Sequence, residues 1–281
     1  MSKVIALDVG GTHTRAALFD EGRIVWRASV PTPGQDGPQA MVAAMAALVA
    51  PLREVPAALG VAIAGQVHDG GCVTAHNEAI LRGWQAFPLA ATLRDRLDRP
   101  VRVLNDARAA TWAEYLHGAG RGCDEFMFVT VSTGVGAGLV LNRRLHLARN
   151  GLDAELGDTL CADGRTLEAH ASGTALGQLA RSLGLASAKA LCDAADARDA
   201  AAEALLREGI RELARKLADL SVLVGVQRTA LGGGVGLRPG YLARLRQEMD
   251  RLPALYRHEM MSAELGADAG LHGVAALAGA A

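Results

Sequence analysis

Val4-Ile5-Ala6-Leu7-Asp8-Val9-Gly10-Gly11-Thr12 is an apolar run that reaches a carboxylate and then breaks into two glycines. Ala16-Ala17-Leu18-Phe19 resumes the apolar pattern, and Asp20-Glu21-Gly22 ends it as a turn before Ile24-Val25-Trp26. Short apolar runs punctuated by glycine and Asp/Gly pairs read as strands, so the segment predicts strand, glycine turn, strand, and a third strand at hairpin distance. The same phrase returns in the second half. Phe126-Met127-Phe128-Val129-Thr130-Val131 runs into Ser132-Thr133-Gly134-Val135-Gly136-Ala137-Gly138 and leaves through Leu139-Val140-Leu141. A supersecondary unit that appears once in each half predicts two related α/β domains.

Between and after these units the pattern alternates strands with helices. Residues 38–51 are rich in Ala, Met and Leu and predict a helix. Leu59 to Gly65 reads as a buried strand ending in glycine, and Val101-Arg102-Val103-Leu104 as a strand ending in Asn105-Asp106. Ala107 to Leu116 then reads as a helix, residues 165–226 as largely helical, and Thr229-Ala230-Leu231 as a strand opening into Gly232-Gly233-Gly234. Helices over 239–252 and 270–280 complete the chain.

Three glycine turns thus follow apolar strands, at Gly10-Gly11-Thr12, Thr133-Gly134-Val135-Gly136 and Gly232-Gly233-Gly234. Glycine lets successive backbone N–H groups converge on one concavity, which suits phosphate oxygens, although any one such turn also reads as an ordinary hairpin. Two rival nucleotide motifs are excluded. No Gly-Lys-Ser/Thr occurs, so there is no P-loop, and Gly134 to Gly138 is misspaced for a dinucleotide fingerprint and opens into a strand.

Composition narrows the function class. The 281 residues are 50% apolar and 21% charged with a net charge of −1, the balance of a globular protein with no basic surface for nucleic acid. Aromatics are only 4%, so Ala, Leu and Val must fill the cores. No stretch approaches the roughly 20 apolar residues of a membrane helix, and the N-terminus lacks a signal-peptide pattern, so a cytoplasmic protein with no membrane partner is expected. Cys72, Cys123, Cys161 and Cys192 are scattered without a CxxC pair and read as free buried thiols.

Asp8-Val9-Gly10-Gly11-Thr12 with Arg15 resembles the first phosphate motif of the sugar kinase/actin/Hsp70 superfamily, Thr130 to Gly138 its second, and Gly232-Gly233-Gly234 its adenosine motif. Leu104-Asn105-Asp106-Ala107 with Thr111-Trp112-Ala113-Glu114 resembles the catalytic segment of the ROK branch, in particular of bacterial kinases acting on N-acetylmannosamine. The resemblance spans nearly the whole chain in order. It implies two ribonuclease-H-like (actin-like ATPase) α/β domains with a cleft between them, residues 1–115 plus 267–281 forming one and 116–266 the other. It implies ATP-dependent phosphorylation of the 6-hydroxyl of N-acetylmannosamine, with glucose or another hexose or N-acetylhexosamine as the alternative, and assembly as a homodimer.

The resemblance also assigns roles. Asp106 would be the general base, although by residue type alone it reads equally as a helix N-cap. Asn105 would bond a sugar hydroxyl. Asp8 would hold Mg²⁺ through water, and Gly10, Gly11, Thr12, Thr133, Gly134 and Gly136 would line the phosphates of ATP. Gly233 and Gly234 would lie under the adenosine. Gly65, Asn77, Glu155, Asp158 and Glu168 would contact the sugar. Asn77 otherwise reads as a surface turn, and Glu155 and Glu168 as solvated helix charges. The sequence departs from the family where Asp158 replaces a histidine and the zinc cysteines are missing. Only Thr159 to Leu167, with the single Cys161, links Asp158 to Glu168. One cysteine and no histidine cannot close a tetrahedral site, so no structural zinc is expected. ROK repressors carry a helix-turn-helix before the first phosphate motif, and Asp8 lies too near the start for one, which favours an enzyme over a repressor. Retention of Asp8, Asp106 and the glycine turns favours it over a non-catalytic sugar sensor.

Overall fold

The structure, a computed structural model, describes residues 3–75, 78 and 81–280. Asn77, expected to touch the sugar, lies outside the described residues. The chain divides into two compact units. The first comprises Met1–Ala113, Leu147–Asp153 and Ala267–Ala281, and the second Glu114–His146 and Ala154–Gly266. The stretch 147–153, which the resemblance leaves with the second domain, 116–266, groups with the first unit.

In the first unit β1 (Val4–Val9), β2 (His13–Asp20), β3 (Arg23–Pro31), β4 (Ala58–Ile63) and, after a small hairpin of β5 (Gln66–Val67) and β6 (Val73–Thr74), β7 (Val101–Asn105) form the strands. The main sheet runs β3-β2-β1-β4-β7. β1 pairs antiparallel with β2, Leu7 opposite Ala16, and parallel with β4, Leu7 beside Val61. The central strands are apolar on both faces because both faces are covered, whereas β3 alternates half-buried and exposed residues, as an edge strand must. α1 (Gly37–Val49) and α2 (Leu89–Leu97) follow β3 and the β5–β6 hairpin, and α3 (Asp106–His117) leaves directly from β7.

In the second unit β8 (Phe126–Val131), β9 (Val135–Leu141) and β10 (Arg144–Leu145) precede a helical stretch. That stretch holds α4 (Glu168–Ala171), α5 (Gly173–Ser182), α6 (Ala188–Asp196) and α7 (Ala200–Val224). β11 (Arg228–Gly232), α8 (Tyr241–Asp250) and β12 (Glu259–Ser262) follow, and α9 (Ala269–Gly279) ends the chain in the first unit. The sheet runs β10-β9-β8-β11-β12, with β8–β9 antiparallel and both β8–β11 and β11–β12 parallel. This is the order and sense of the first sheet. The two-fold α/β repeat expected from the glycine phrases is therefore borne out at the level of topology.

Local chemistry accounts for the helices. Asp199 caps α7 by accepting the Ala202 N–H at 2.8 Å, and Gly225 ends it in the left-handed region at φ +70°. Leu206, Ile210, Leu213 and Leu217 recur at helical spacing and are buried, each stabilising the unit by about 1.5–3 kcal/mol. α9 carries no charge because it is covered by β1, β4 and β7. It approaches so closely that a Cβ on Gly60 would sit 2.3 Å from the Val274 carbonyl oxygen, and one on Gly273 only 1.8 Å from that of Ala109. Among the described residues no helix is long and apolar enough to cross a membrane.

Candidate active site

The first unit holds Asp8, the turn Gly10-Gly11-Thr12, Gly65, Asn105 and Asp106. Parallel strands direct their C-terminal ends to one edge of a sheet, so β1, β4 and β7 deliver Asp8, Gly65 and Asn105-Asp106 to the same edge. The β1–β2 turn is closed by the Gly10 N–H on the His13 carbonyl at 3.1 Å and fastened to β3 by the Thr32 hydroxyl on the Gly10 carbonyl at 2.7 Å. Gly11 and Thr12 are exposed at its tip.

Asp8 is ion-paired with Arg15, whose Nη2 also donates to the Ala267 carbonyl at 2.6 Å. Burial pushes the Asp8 carboxyl up, Arg15 opposes this, and the charges of Asp106 and Asp268 add smaller upward pushes. Gly270 of α9 leaves the carboxylate room, since a Cβ there would lie 3.2 Å from the Asp8 carboxyl carbon. One carboxylate, with Arg15 already on one oxygen, suits an outer-sphere Mg²⁺, which keeps most of its waters and takes phosphate oxygens as its other partners.

Asn105 and Asp106 divide the work at the start of α3. The Asn105 Oδ1 accepts the backbone N–H groups of Ala107 at 2.9 Å and Arg108 at 3.2 Å, and its Nδ2 donates to the Gly65 carbonyl at 3.0 Å. Gly65 can meet it because φ is +103° there, in the left-handed region that favours glycine. Helix capping, which residue type alone also offered to Asp106, is thus performed largely by Asn105. Asp106 Oδ1 accepts the Ala107 N–H at 2.8 Å, and no other side chain among the described residues bonds either oxygen. Burial raises its carboxyl above the ordinary 3.8, with the Ala107 N–H and Arg108 pulling the other way. A carboxylate raised toward neutrality is a better proton acceptor at working pH.

Two residues that sequence reading passed over complete this part. Arg108, 1% exposed, pairs through Nε with Asp153 Oδ1 at 2.9 Å, and Asp153 Oδ2 accepts the Ala148 N–H at 3.0 Å. No local sequence signal links the two, which lie 45 residues apart.

The second unit holds Thr133, Gly134, Gly136, Glu155, Asp158, Glu168, Gly233 and Gly234. The β8–β9 turn is closed by the Ser132 N–H on the Gly134 carbonyl at 2.9 Å and braced from α5, where Gly173 N–H reaches Ser132 at 2.7 Å and the Thr174 hydroxyl reaches Thr133 at 2.8 Å. Thr133 is exposed at the tip, and Gly136 enters β9 opposite Thr130. Glu168 Oε2 accepts the Val135 N–H at 2.9 Å and lies 2.5 Å from where a Gly134 Cβ would stand. Glu168 therefore supports the glycine turn, a structural use that sequence did not foretell. Glu155 precedes a single 3₁₀ turn, Leu156–Asp158, in which Leu156 and Gly157 are buried and Asp158 is exposed. The β11 turn wraps the end of β8, with the Val235 and Gly236 N–H groups on the Val131 carbonyl at 2.9 and 3.0 Å. Gly233 is pressed against that carbonyl, and Gly234 faces open space.

Between Asp158 and Glu168, residues 159–167 form a tight hairpin. The Cys161 N–H donates to Arg165 at 2.7 Å, Leu167 to Thr159 at 2.9 Å, and His170 Nε2 meets Asp163 Oδ1 at 3.1 Å. Among the described residues no group of three or more His, Cys, Asp or Glu is placed to hold a metal ion. Glu114, in the Trp112-Ala113-Glu114 segment, is fully buried and accepts the backbone N–H groups of Ala119, Glu264 and Leu265 at 2.8–3.1 Å. Its role is structural.

Two sheets of this order, each with a glycine turn after its first strand, define a protein of the actin-like ATPase fold class. The ROK family model matches residues 4–281, and the chain belongs to the ROK family. It is 39% identical over 288 aligned positions to an N-acetylmannosamine kinase of Yersinia pseudotuberculosis serotype O:1b, covering 98% of each chain. A ROK family glucokinase from Streptomyces griseus, solved with glucose and AMPPNP, superposes with a TM-score of 0.84 at 30% identity over 100% of both chains. A ROK hexokinase from Thermus thermophilus gives 0.84 at 32% identity, covering 99% of this chain and 98% of that one.

Proposed function

We propose that the chain is an ATP-dependent carbohydrate kinase that phosphorylates the 6-hydroxyl of N-acetylmannosamine. The observation that carries the kinase reading is Asp106, a partly buried carboxylate with a raised pKa, set beside an Asn105 that caps α3 and is held by Gly65, and within electrostatic reach of Asp8. The choice of sugar is supported by the Yersinia relative, which is named an N-acetylmannosamine kinase.

Phosphoryl transfer needs alignment, charge neutralisation and a proton acceptor. Asp106 takes the hydroxyl proton as the sugar oxygen forms its bond to the γ-phosphorus. The bond from that phosphorus to the bridging oxygen breaks, and ADP carries the electron pair away. Asn105 orients the sugar, Gly11 and Thr12 offer backbone N–H groups to phosphate oxygens, and Gly10, whose own N–H closes the turn on His13, lines the phosphates beside them. Thr133, Gly134 and Gly136 do the same, with Gly233 and Gly234 under the adenosine. Gly65, Asn77, Glu155, Asp158 and Glu168 contribute to the sugar's surroundings. Asp8 would hold Mg²⁺ through water, and the ion supplies charge neutralisation at the phosphates. The family resemblance also implies a homodimer in the cytoplasm, which sedimentation and fractionation test.

A second reading, glucose as substrate, is favoured by the glucose complex of the Streptomyces neighbour. The test is ADP release across a panel of hexoses and N-acetylhexosamines. The highest kcat/KM on N-acetylmannosamine is expected. A higher value on glucose overturns the choice of sugar, and turnover of none overturns the kinase.

A further inference from the structure

We propose that Arg108 is a positioning residue for the sugar, fixing the Asn105 amide so that Asn105 meets substrate only as a hydrogen-bond donor, with Asp153 as the anchor of Arg108. The proposal rests on the sugar-kinase reading.

The Asn105 Oδ1 faces three N–H donors, the backbone of Ala107 at 2.9 Å and of Arg108 at 3.2 Å and the Arg108 Nη1 at 3.0 Å. An amide nitrogen cannot occupy that position, so the orientation of the amide follows from its partners. The oxygen's lone pairs are then spent. The NH₂ group carries two hydrogens, and one goes to the Gly65 carbonyl at 3.0 Å. What remains to Asn105 is a single N–H. Its complement on a sugar is an acceptor, a hydroxyl oxygen or an amide carbonyl.

Arg108 can make this contact only because its charge is answered. At 1% exposure it is deeply buried, and Asp153, at 5%, receives its Nε at 2.9 Å. Asp153 is in turn held by the Ala148 N–H at 3.0 Å, and its segment is fastened to the β5 hairpin, with the Asp69 N–H on the Arg149 carbonyl at 3.2 Å and the Gln66 side chain on the Asn150 carbonyl at 2.5 Å. One planar guanidinium therefore joins the cap of α3 to residues 147–153, and through Asn105 the link reaches Gly65 just after β4. A lysine has a single charged nitrogen and no rigid fork, so it cannot hold Asn105 and Asp153 in the same geometry.

The experiment compares the full-length wild type with Arg108→Lys and Asp153→Asn. Separate KM values for sugar and ATP and hydrogen exchange over residues 65–69 and 147–153 are measured. For Arg108→Lys, a sugar KM raised at least tenfold with the ATP KM within twofold, and faster exchange over 147–153, are expected. Asp153→Asn, which keeps neutral hydrogen bonding, should fall between. If Arg108→Lys does not fold, Arg108→Met/Asp153→Asn, which leaves no buried charge unpaired, is measured in its place with the same expectation. An unchanged sugar KM, or equal rises in both KM values, overturns the positioning role while leaving the kinase reading intact. A wild type that phosphorylates no sugar overturns the kinase reading itself, and the donor-only role of Asn105 with it.

Discussion

Replacing Asp106 by Asn separates chemistry from folding in a single atom. The amide is isosteric and can keep its oxygen on the Ala107 N–H, now 2.8 Å from Oδ1, so the start of α3 is preserved. What disappears is the capacity to take a proton. A positioned general base contributes about 10²–10⁴ in rate, so the barrier should rise by about 3–5 kcal/mol and kcat fall correspondingly. The same change acts on stability with the opposite sign. Burial raises the folded carboxyl above its ordinary 3.8, so its contribution is whole below the unfolded pKa and is lost as pH rises through the folded one. Ionising Asp106 is thus a net cost to the fold, and Asp106→Asn should melt no lower than the wild type, with its advantage over the wild type larger at pH 7 than at pH 4. The assay is sugar-dependent ADP release alongside thermal unfolding across pH. A variant that keeps more than about a tenth of the wild-type kcat, below the weakest effect expected of a base, would refute the assignment. A variant that is inactive but also several degrees less stable would refute the claim that the charge is held against the fold's preference.

Other outcomes follow from the remaining geometry. Gly134→Ala places a methyl 2.5 Å from Glu168 Oε2 and should displace the carboxylate from the Val135 N–H, a charge-assisted bond worth about 1.5–3 kcal/mol; the KM for ATP should rise, and an unchanged value would show that the turn does not bind nucleotide. His258, held between the Ser221 hydroxyl at 2.6 Å and the Thr229 hydroxyl at 2.7 Å, is lowered by burial to about 4 from 6.5. Its stabilising neutral form is whole above pH 6.5 and lost as pH falls toward 4, on the order of 3 kcal/mol in all; chemical denaturation should show that slope in the wild type and not in His258→Gln. Purified protein should carry no stoichiometric zinc, and chelator should leave its melting temperature unchanged. Leu213→Ala, in the buried stripe of α7, should cost about 2–5 kcal/mol by denaturant titration.

Much of the fold is legible in local pattern. Apolar runs ending in Gly10-Gly11 and in Thr133-Gly134, and the glycines after Leu231, marked strand ends because backbone conformation and burial period are local properties. Their repetition announced two like sheets, and the carboxylates at strand ends, Asp8 and Asp106, stood out by type and place. The purposes of other residues depended on partners far along the chain. Asn105 caps α3 while reaching Gly65, forty residues earlier, and Arg108 finds Asp153 forty-five residues on. Glu114 gathers N–H groups from Leu265, 151 residues away, and Glu168 turns out to brace Val135. Sequence by itself determined the elements and the turns, since these follow from residue-by-residue preference and periodicity. Which buried polar atom meets which was decided only by tertiary packing, because a buried donor or acceptor must be satisfied by whatever the fold brings within about 3 Å, at any separation in sequence.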